Sequence, residues 1–141
     1  MFKQKYVIDT FKLITIFVQF FVMFYYKTTD NVTMWIYIAL HGVYGILWVL
    51  KSNYFGDKSW EAEFSSIYWA IYVTLGLFLY WSPGIIISSK NIRPANYLIF
   101  ISISIFTFGV FFHCVSDLHK TLYMELMPKT LLKTKLWSLS R

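Results

Sequence analysis

The sequence predicts an all-α integral membrane protein with four transmembrane helices. Of its 141 residues, 57% are hydrophobic and only 14% are charged, whereas soluble domains have about 45–50% apolar and about 25% charged residues. Aromatic residues make up 22% of the chain, more than one small soluble core can bury. A bilayer accommodates this excess because lipid surrounds the apolar surface. The sequence also contains four apolar runs of transmembrane length, separated by polar segments, and each run can form one membrane-spanning helix.

Each apolar run is close to the ~20 residues that are needed to cross ~30 Å of hydrocarbon as a helix. The first run also has the basic start of a signal peptide, but it contains Asp9 and Lys12 and lacks a small-residue cleavage site before Lys27. We therefore predict a retained helix. The four predicted spans cover residues 7–26, 34–50, 64–81 and 97–115.

Prolines and glycines mark the ends of the later helices. Pro83 and Gly84 are expected to end the third helix, because proline lacks a backbone donor and glycine permits a turn. Residues 85–87 would then lie along the membrane interface. Pro94 suits the first turn of the fourth helix, which can continue to residue 127. This divides the chain into a four-helix domain, residues 1–127, and a basic tail, residues 128–141.

The positive residues predict the topology. Four spans place both termini and the loop 51–66 on one side, which carries ten of the 13 lysines and arginines. The positive-inside rule therefore places both termini inside, in cytosol or mitochondrial matrix. Because the net charge of +6 lies in short segments between apolar runs, it indicates phospholipid headgroup contacts and no nucleic-acid partner. The ten are Lys3, Lys5, Lys12, Lys51, Lys58, Lys120, Lys129, Lys133, Lys135 and Arg141.

The second helix carries a candidate face for packing or for lipid contact. His41, Tyr44, Gly45 and Trp48 are spaced i, i+3, i+4 and i+7, so they share one side of an α-helix. Gly42 and Gly45 permit close approach of another helix. A histidine inside the bilayer needs a hydrogen-bond partner or a water pocket. Two interpretations follow: a ligand or cofactor contact, or a histidine hydrogen-bonded across a tight helix pair.

The fourth helix carries a second polar face. Gly109, His113, Asp117 and Lys120 are spaced i, i+4, i+8 and i+11 and follow one helix face. Two histidines and an aspartate suggest a metal site. However, His41 and His113 lie on different helices at different depths, and no third strong ligand is evident. We therefore predict no metal ligand.

A polar seam at the inner membrane surface is the preferred interpretation of these charges. Lys51, Asp57 and Glu61 lie on the same side as the end of the fourth helix and would hold the loop against it through salt bridges. The single cysteine, Cys114, excludes a disulfide framework within the chain. No phosphate loop, serine nucleophile elbow or metalloprotease helix is present in the sequence. We predict no catalytic residue and no bound cofactor.

Two segments of the sequence combine glycine, aromatic and charged residues at fixed spacing. The first is His41-Gly42-x-Tyr44-Gly45-x-x-Trp48-x-x-Lys51, followed by Phe55-Gly56-Asp57-x-x-Trp60-Glu61. The second is Gly109-Val110-Phe111-Phe112-His113 with Ser116-Asp117-x-x-Lys120, and then Leu136-Trp137-Ser138-Leu139-Ser140-Arg141. Together these segments span about a hundred residues, and they resemble the membrane proteins grouped with steroid 5-alpha-reductase and isoprenylcysteine methyltransferase.

The resemblance implies that the catalytic half is missing. In that family, the arginine matching Arg141 opens a segment Arg-x-Pro-x-Tyr-x-Gly-Glu. This segment and the following helices build most of the pocket for NADPH in reductases or S-adenosylmethionine in methyltransferases. The chain resembles the N-terminal half alone, a pseudoenzyme in which Tyr44, Asp117 and Lys120 keep structural roles.

These observations predict a non-catalytic accessory subunit of a larger membrane complex, with other membrane subunits and phospholipids as partners. The dense aromatic residues suit such helix–helix and helix–lipid contacts. A respiratory assembly of the mitochondrial inner membrane is the preferred setting, with the endoplasmic reticulum as the alternative. Two other functions stay open. One is a truncated or split reductase or methyltransferase using NADPH or S-adenosylmethionine, and the other is a lipid- or sterol-binding protein using the His41–Tyr44–Trp48 face.

Overall fold

Four long helices make up most of the protein. The computed structural model describes residues 3–56 and 58–127, with the side chains of residues 58 and 59 excepted. Over these residues the chain is 82% helical and contains no strand. The all-α class is therefore confirmed, as are four helices long and apolar enough to span a membrane. We number them α1 (Gln4–Tyr25), α2 (Val32–Phe55), α3 (Ile67–Ser89) and α4 (Asn96–Leu126).

The helices extend beyond the predicted spans. The second span was predicted to end at residue 50, but α2 continues to Phe55. Helix α4 continues past its predicted span to Leu126, which agrees with the predicted continuation to residue 127. An apolar run marks only the part of a helix that suits hydrocarbon, and helical hydrogen bonding continues through polar residues beyond it. The predicted tail, residues 128–141, lies outside the described residues.

Helices α1 and α2 pack closely because two glycines of α2 lie against α1. A Cβ atom at Gly45 would lie 2.0 Å from the carbonyl oxygen of Lys12, and one at Gly42 would lie 2.8 Å from Cγ1 of Ile16. Only residues without a side chain permit this approach of two helix backbones. The buried apolar core continues along the same two helices and comprises Val22, Met23, Met34, Tyr37 and Ile38.

Helix α2 contains a widened turn. It is α-helical over Val32–Tyr37 and Val43–Phe55, but π-helical over Ile38–Gly42. A π-helical turn contains an extra residue and therefore changes the face on which the following side chains lie. The regular i, i+3, i+4 and i+7 spacing predicted from His41 onwards does not allow for this turn.

Helix α3 is interrupted before the proline, and then it resumes. Its α-helical parts are Ile67–Leu79 and Ser82–Ser89. Pro83 falls in the first turn of the second part, where a missing N–H removes no helical hydrogen bond. The residues predicted to lie along the interface, 85–87, are therefore helical, and Ile87 packs against the α1–α2 core.

Side chains bind the backbone carbonyls around the interruption. The Ser82 hydroxyl donates to the carbonyl of Leu79 at 2.7 Å, and the Tyr37 hydroxyl donates to the carbonyl of Tyr80 at 3.1 Å. Nε2 of the fully buried Gln19 donates to the carbonyl of Trp81 at 3.4 Å. Broken transmembrane helices are tolerated where neighbouring side chains satisfy the backbone in this way.

A buried asparagine joins the α1–α2 turn to the α3–α4 turn. Asn31 has no exposed surface and accepts the backbone N–H of Thr33 at 2.9 Å, which caps α2. Its Nδ2 donates to Asn91 Oδ1 at 2.7 Å and to the carbonyl of Ile92 at 3.1 Å. Nearby, the Thr28 hydroxyl donates to Ser88 at 3.2 Å. One end of the bundle is therefore fixed by buried hydrogen bonds.

Candidate functional site

Polar and aromatic side chains from all four helices meet near the opposite end of the bundle. We call this group the interhelical cluster. It brings together side chains that ionise, donate hydrogen bonds or offer aromatic faces. Its members are Asp9 and Lys12 of α1, Tyr44, Trp48, Lys51 and Ser52 of α2, Tyr80 of α3, and His113 and Asp117 of α4.

A lysine of α2 connects the cluster to α4. Lys51 is only 7% exposed, and its ammonium donates to the carboxylate of Asp117. Its Nζ also lies 3.1 Å from Nε2 of His113 and 4.7 Å from the ring centroid of Trp48. Burial of one charge is tolerated here because an opposite charge accompanies it. This ion pair is the principal polar contact between α2 and α4.

Asp9 is held by two donors of α2. Trp48 Nε1 donates to its Oδ1 at 3.1 Å, and the Ser52 hydroxyl donates to its Oδ2 at 2.9 Å. The Trp48 ring also stacks on the His113 ring, with centroids 5.8 Å apart and planes 10° apart. Trp48 therefore contacts α1 through its N–H group and α4 through its ring.

Lys12 is surrounded by aromatic faces. Its Nζ lies 3.7 Å from the ring centroid of Tyr80, 5.1 Å from that of Tyr44 and 5.4 Å from that of Trp48. An ammonium over an aromatic face is attracted by the negative face of the ring. Such contacts stabilise a charge where few water molecules reach it.

His41 borders the cluster at Tyr80, on the side towards the other end of the bundle. Its ring stacks on Tyr37 with centroids 4.2 Å apart, and it lies 5.5 Å from the Tyr80 ring and 5.4 Å from the Phe106 ring. Its Nδ1 is buried and has no hydrogen-bond partner within the described part of the chain. The hydrogen bond across a helix pair that one interpretation predicted is therefore not made by this atom.

The predicted face of α2 contacts two helices. Gly45 lies against α1, while Tyr44 and Trp48 contact His113 of α4, with Tyr44 6.3 Å from it between ring centroids. His41 and Tyr44 both contact Phe106 of α4, at 5.4 Å and 6.2 Å between ring centroids. His41 lies in the π-helical turn Ile38–Gly42, and the other three residues lie in the α-helical part that follows it.

The predicted face of α4 is also divided. His113 and Asp117 meet Lys51, as described above. Gly109 faces open space, since nothing would contact a Cβ atom there within 4 Å. Lys120 lies about one turn beyond Asp117 and is half-buried.

The predicted loop contacts have different partners. Glu61 accepts from Lys3 at 2.9 Å and from Lys5 at 3.1 Å, so it holds the loop to the start of α1. These two ammonium groups lower the pKa of Glu61. Of the residues predicted to form salt bridges with α4, Lys51 pairs with Asp117, whereas Glu61 pairs with α1 and the residue before it. Asp57 lies outside the described residues.

A further exposed ion pair connects the two turns at the other end. Arg93 donates to the carboxylate of Asp30, and this bond lowers the pKa of Asp30. Both side chains are more than half exposed, so the pair contributes little to stability.

Sequence reasoning did not select Asp9, Lys12 or Tyr80 as site residues. Asp9 and Lys12 served as evidence against a signal peptide, and Lys12 was also counted among the positive residues that set the topology. A stronger signal was available, because ionisable residues inside a transmembrane segment are rare and usually face the interior of the bundle. Tyr80 offered no such signal, since its contact with Lys12 joins residues far apart in the sequence.

A groove separates α4 from α2 near His41. It has a volume of about 230 Å³, and we call it the His41 groove. Its walls are mainly apolar, with two hydroxyl groups, one phenol and one imidazole among them. The lining residues are Thr33, Ile36, Tyr37, Leu40, His41, Ile87, Pro94, Ile99, Ser102 and Phe106.

Within residues 3–56 and 58–127, no group of three or more histidine, cysteine, aspartate or glutamate side chains is placed to hold a metal ion. No protein-family model, curated protein or solved structure matches the chain. The resemblance to the reductase and methyltransferase family therefore stays a prediction. What supports a function is the arrangement of the side chains and the exposure of the helices.

Proposed function

We propose that the protein is an accessory subunit of a larger membrane assembly and acts in it as a scaffold. The observation that carries the proposal is the unequal burial of the four helices. In the most apolar stretch, 28% of the residues of α1 and of α2 are buried inside the protein, but 6% of those of α3 and none of those of α4. A helix that packs on neighbours along its length usually buries a continuous stripe.

The exposed surface of α4 is rich in aromatic residues. Phe100, Phe108 and Phe111 are 71%, 65% and 58% exposed. Large aromatic side chains are enriched where proteins contact one another, because they bury much area with few rotatable bonds. This composition supports a protein partner along α4, with phospholipids covering the remaining apolar surface.

The ionisable side chains between the helices support a scaffold role. Asp9 is held by Trp48 and Ser52, and Lys51 is held by Asp117. Groups that acted on a substrate would need an open approach, whereas these contacts join α1, α2 and α4 to one another. Their arrangement favours structural stability of the bundle over chemistry.

The proposed setting is a respiratory assembly of the mitochondrial inner membrane, with both termini in the matrix. The unequal distribution of lysine and arginine supports that orientation. The endoplasmic reticulum is the alternative setting, with both termini in the cytosol. The proposal also includes descent from the N-terminal half of the reductase and methyltransferase family, followed by loss of cofactor chemistry.

A photo-crosslinking amino acid placed along α4 tests the proposal in the native membrane. At Phe108, which is 65% exposed, we expect crosslinks to another protein. The matched control is Phe17 on α1, which is 68% exposed and is expected to crosslink to lipid. Lipid adducts alone at both positions would contradict the proposal.

Purification in mild detergent identifies the assembly. Co-purification with respiratory subunits supports the proposed setting, whereas isolation of the chain alone from endoplasmic reticulum contradicts it. Recovery together with a second membrane protein that binds NADPH or S-adenosylmethionine would favour a split enzyme over a scaffold. The crosslinked partner and the co-purified partner must be the same protein.

A further inference from the structure

The His41 groove opens sideways between helices. Helix α4 is joined to α2 by Lys51, His113 and Asp117, but further along it stands away from α2 and leaves the cavity of about 230 Å³. The second part of α3 contributes Ile87 to the wall. In a membrane, a molecule dissolved among the lipid chains reaches such a groove without crossing water.

The imidazole of His41 gives the groove a hydrogen-bonding group. The ring lines the groove, but its Nδ1 is enclosed and cannot be reached from the groove, so Nε2 is the nitrogen that is left for a ligand. A neutral imidazole carries one donor and one acceptor nitrogen, and an Nε2–H group donates to a ligand oxygen. The ring also lies in the π-helical turn Ile38–Gly42, and such turns occur frequently at functional sites.

The lining defines the chemical class of the ligand. No lysine, arginine, aspartate or glutamate lines the groove, so a charged ligand would be left without a counter-charge. The volume of about 230 Å³ is below the ~300–1,000 Å³ of sites that enclose a whole drug-sized molecule. The groove therefore suits one end of a longer molecule, and the remainder would lie in lipid.

Aromatic and hydroxyl groups favour a ring at that end. Phe106 and Tyr37 offer ring faces or edges on which another ring can pack, and Thr33 and Ser102 carry hydroxyl groups. We propose that the His41 groove binds the oxygen-bearing six-membered ring of a neutral lipid with an apolar tail, the class of prenylated quinones and phenols. A ring oxygen forms a hydrogen bond with the His41 imidazole.

Calorimetric titration of the full chain in lipid nanodiscs with a decyl-substituted benzoquinone tests this proposal. Empty nanodiscs give the contribution of partition into lipid, which is subtracted. We expect saturable binding, and His41→Phe is expected to weaken it about tenfold through loss of the hydrogen bond. His41→Gln, which keeps a donor and an acceptor, is expected to retain most of the affinity.

Two further variants separate groove binding from adsorption to the helix surface. Ser102→Phe fills the groove and is expected to abolish binding. Ile105→Phe is its matched control on α4, at a residue that is 68% exposed and does not line the groove, and binding is expected to be unchanged. Folding of each variant is checked by circular dichroism and size-exclusion chromatography.

Matched probes test the ligand class. Decylbenzene has the ring and the tail without oxygen and is expected to bind about tenfold more weakly than the quinone. Cholesterol is expected to compete poorly, because four fused rings exceed the cavity. Equal affinity for decylbenzene, equal affinity in the folded His41→Phe variant, or preferred binding of cholesterol would each overturn the proposal.

Discussion

Helices α1 and α4 are both long and apolar, but they differ in how much of their surface is buried against the rest of the protein. Helix α4 is the most apolar of the four and buries none of its apolar stretch, whereas α1 buries 28%. The difference arises from small and polar residues at the contact. Glycines of α2 lie directly on α1, Gln19 of α1 bonds to the carbonyl of Trp81 in α3, and Asn31 bonds the α1–α2 turn to the α3–α4 turn. Hydropathy predicts insertion into a membrane, but these residues decide which helices pack.

The largest expected effect tests the glycine contact. Gly45→Ala places a Cβ atom 2.0 Å from the Lys12 carbonyl oxygen, so α1 and α2 must separate. We expect the free energy of unfolding in detergent to fall by about 3 kcal/mol. Gly109→Ala is the matched control, because that Cβ atom meets nothing within 4 Å. Equal effects of the two substitutions would mean that close approach does not distinguish the α1–α2 pair.

Loss of the buried ion pair tests the attachment of α4. Lys51→Met leaves the carboxylate of Asp117 without its counter-charge, and we expect a loss of about 3 kcal/mol. The double variant Lys51→Met with Asp117→Leu is expected to recover most of this loss, because no buried charge remains. Arg93→Met removes an exposed pair and serves as the control, with an expected loss below about 1 kcal/mol. Unfolding measurements that show no recovery in the double variant would contradict this account.

The buried asparagine is expected to have an intermediate effect. Asn31→Ala removes the cap of α2 and the bonds to Asn91 and Ile92, which we expect to lower stability by about 2 kcal/mol. Asn53→Ala is the control, because Asn53 bonds only to the carbonyl of Val49 one turn away on an exposed surface. A similar loss of stability in both variants would show that the buried hydrogen bonds of Asn31 do not stabilise this end of the bundle.

The smallest effect concerns the loop between α2 and α3. The pKa of Glu61 is lowered from 4.5 by the ammonium groups of Lys3 and Lys5. Because the folded-state value is the lower one, the stabilisation is complete above pH 4.5 and is lost as the pH falls through the folded-state pKa. We expect the backbone resonances of residues 3–5 to shift over that acidic range. Glu61→Gln should remove the shift, and a shift that persists would assign it to another group.

The sequence is sufficient to predict the four helices because composition and apolar length depend on local residues alone. Helix periodicity likewise selected His113 and Asp117 together, and the structure brings both to Lys51. Helix periodicity did not predict the π-helical turn at Ile38–Gly42. His41 and Tyr44, which simple spacing grouped, both contact Phe106 of α4.

Two other features depend on contacts distant in sequence. Lys12 meets Tyr80 beside the interruption of α3, and Glu61 meets Lys3 and Lys5 across more than fifty residues. Charge counting shows that opposite charges lie on one side of a membrane, but it does not select among several lysines. The partners of a surface carboxylate therefore require the folded geometry.

The interruption of α3 places a boundary inside a helix. The part after it, Ser82–Ser89, buries Gly84 and Ser88, while the part before it, Ile67–Leu79, has no buried residue. In the described part of the chain, α1, α2 and Ser82–Ser89 therefore pack together as one unit, and Ile67–Leu79 and α4 lie at its border. The boundary between the packed and the bordering parts falls at the turn of Tyr80 and Trp81 and not at a loop between helices.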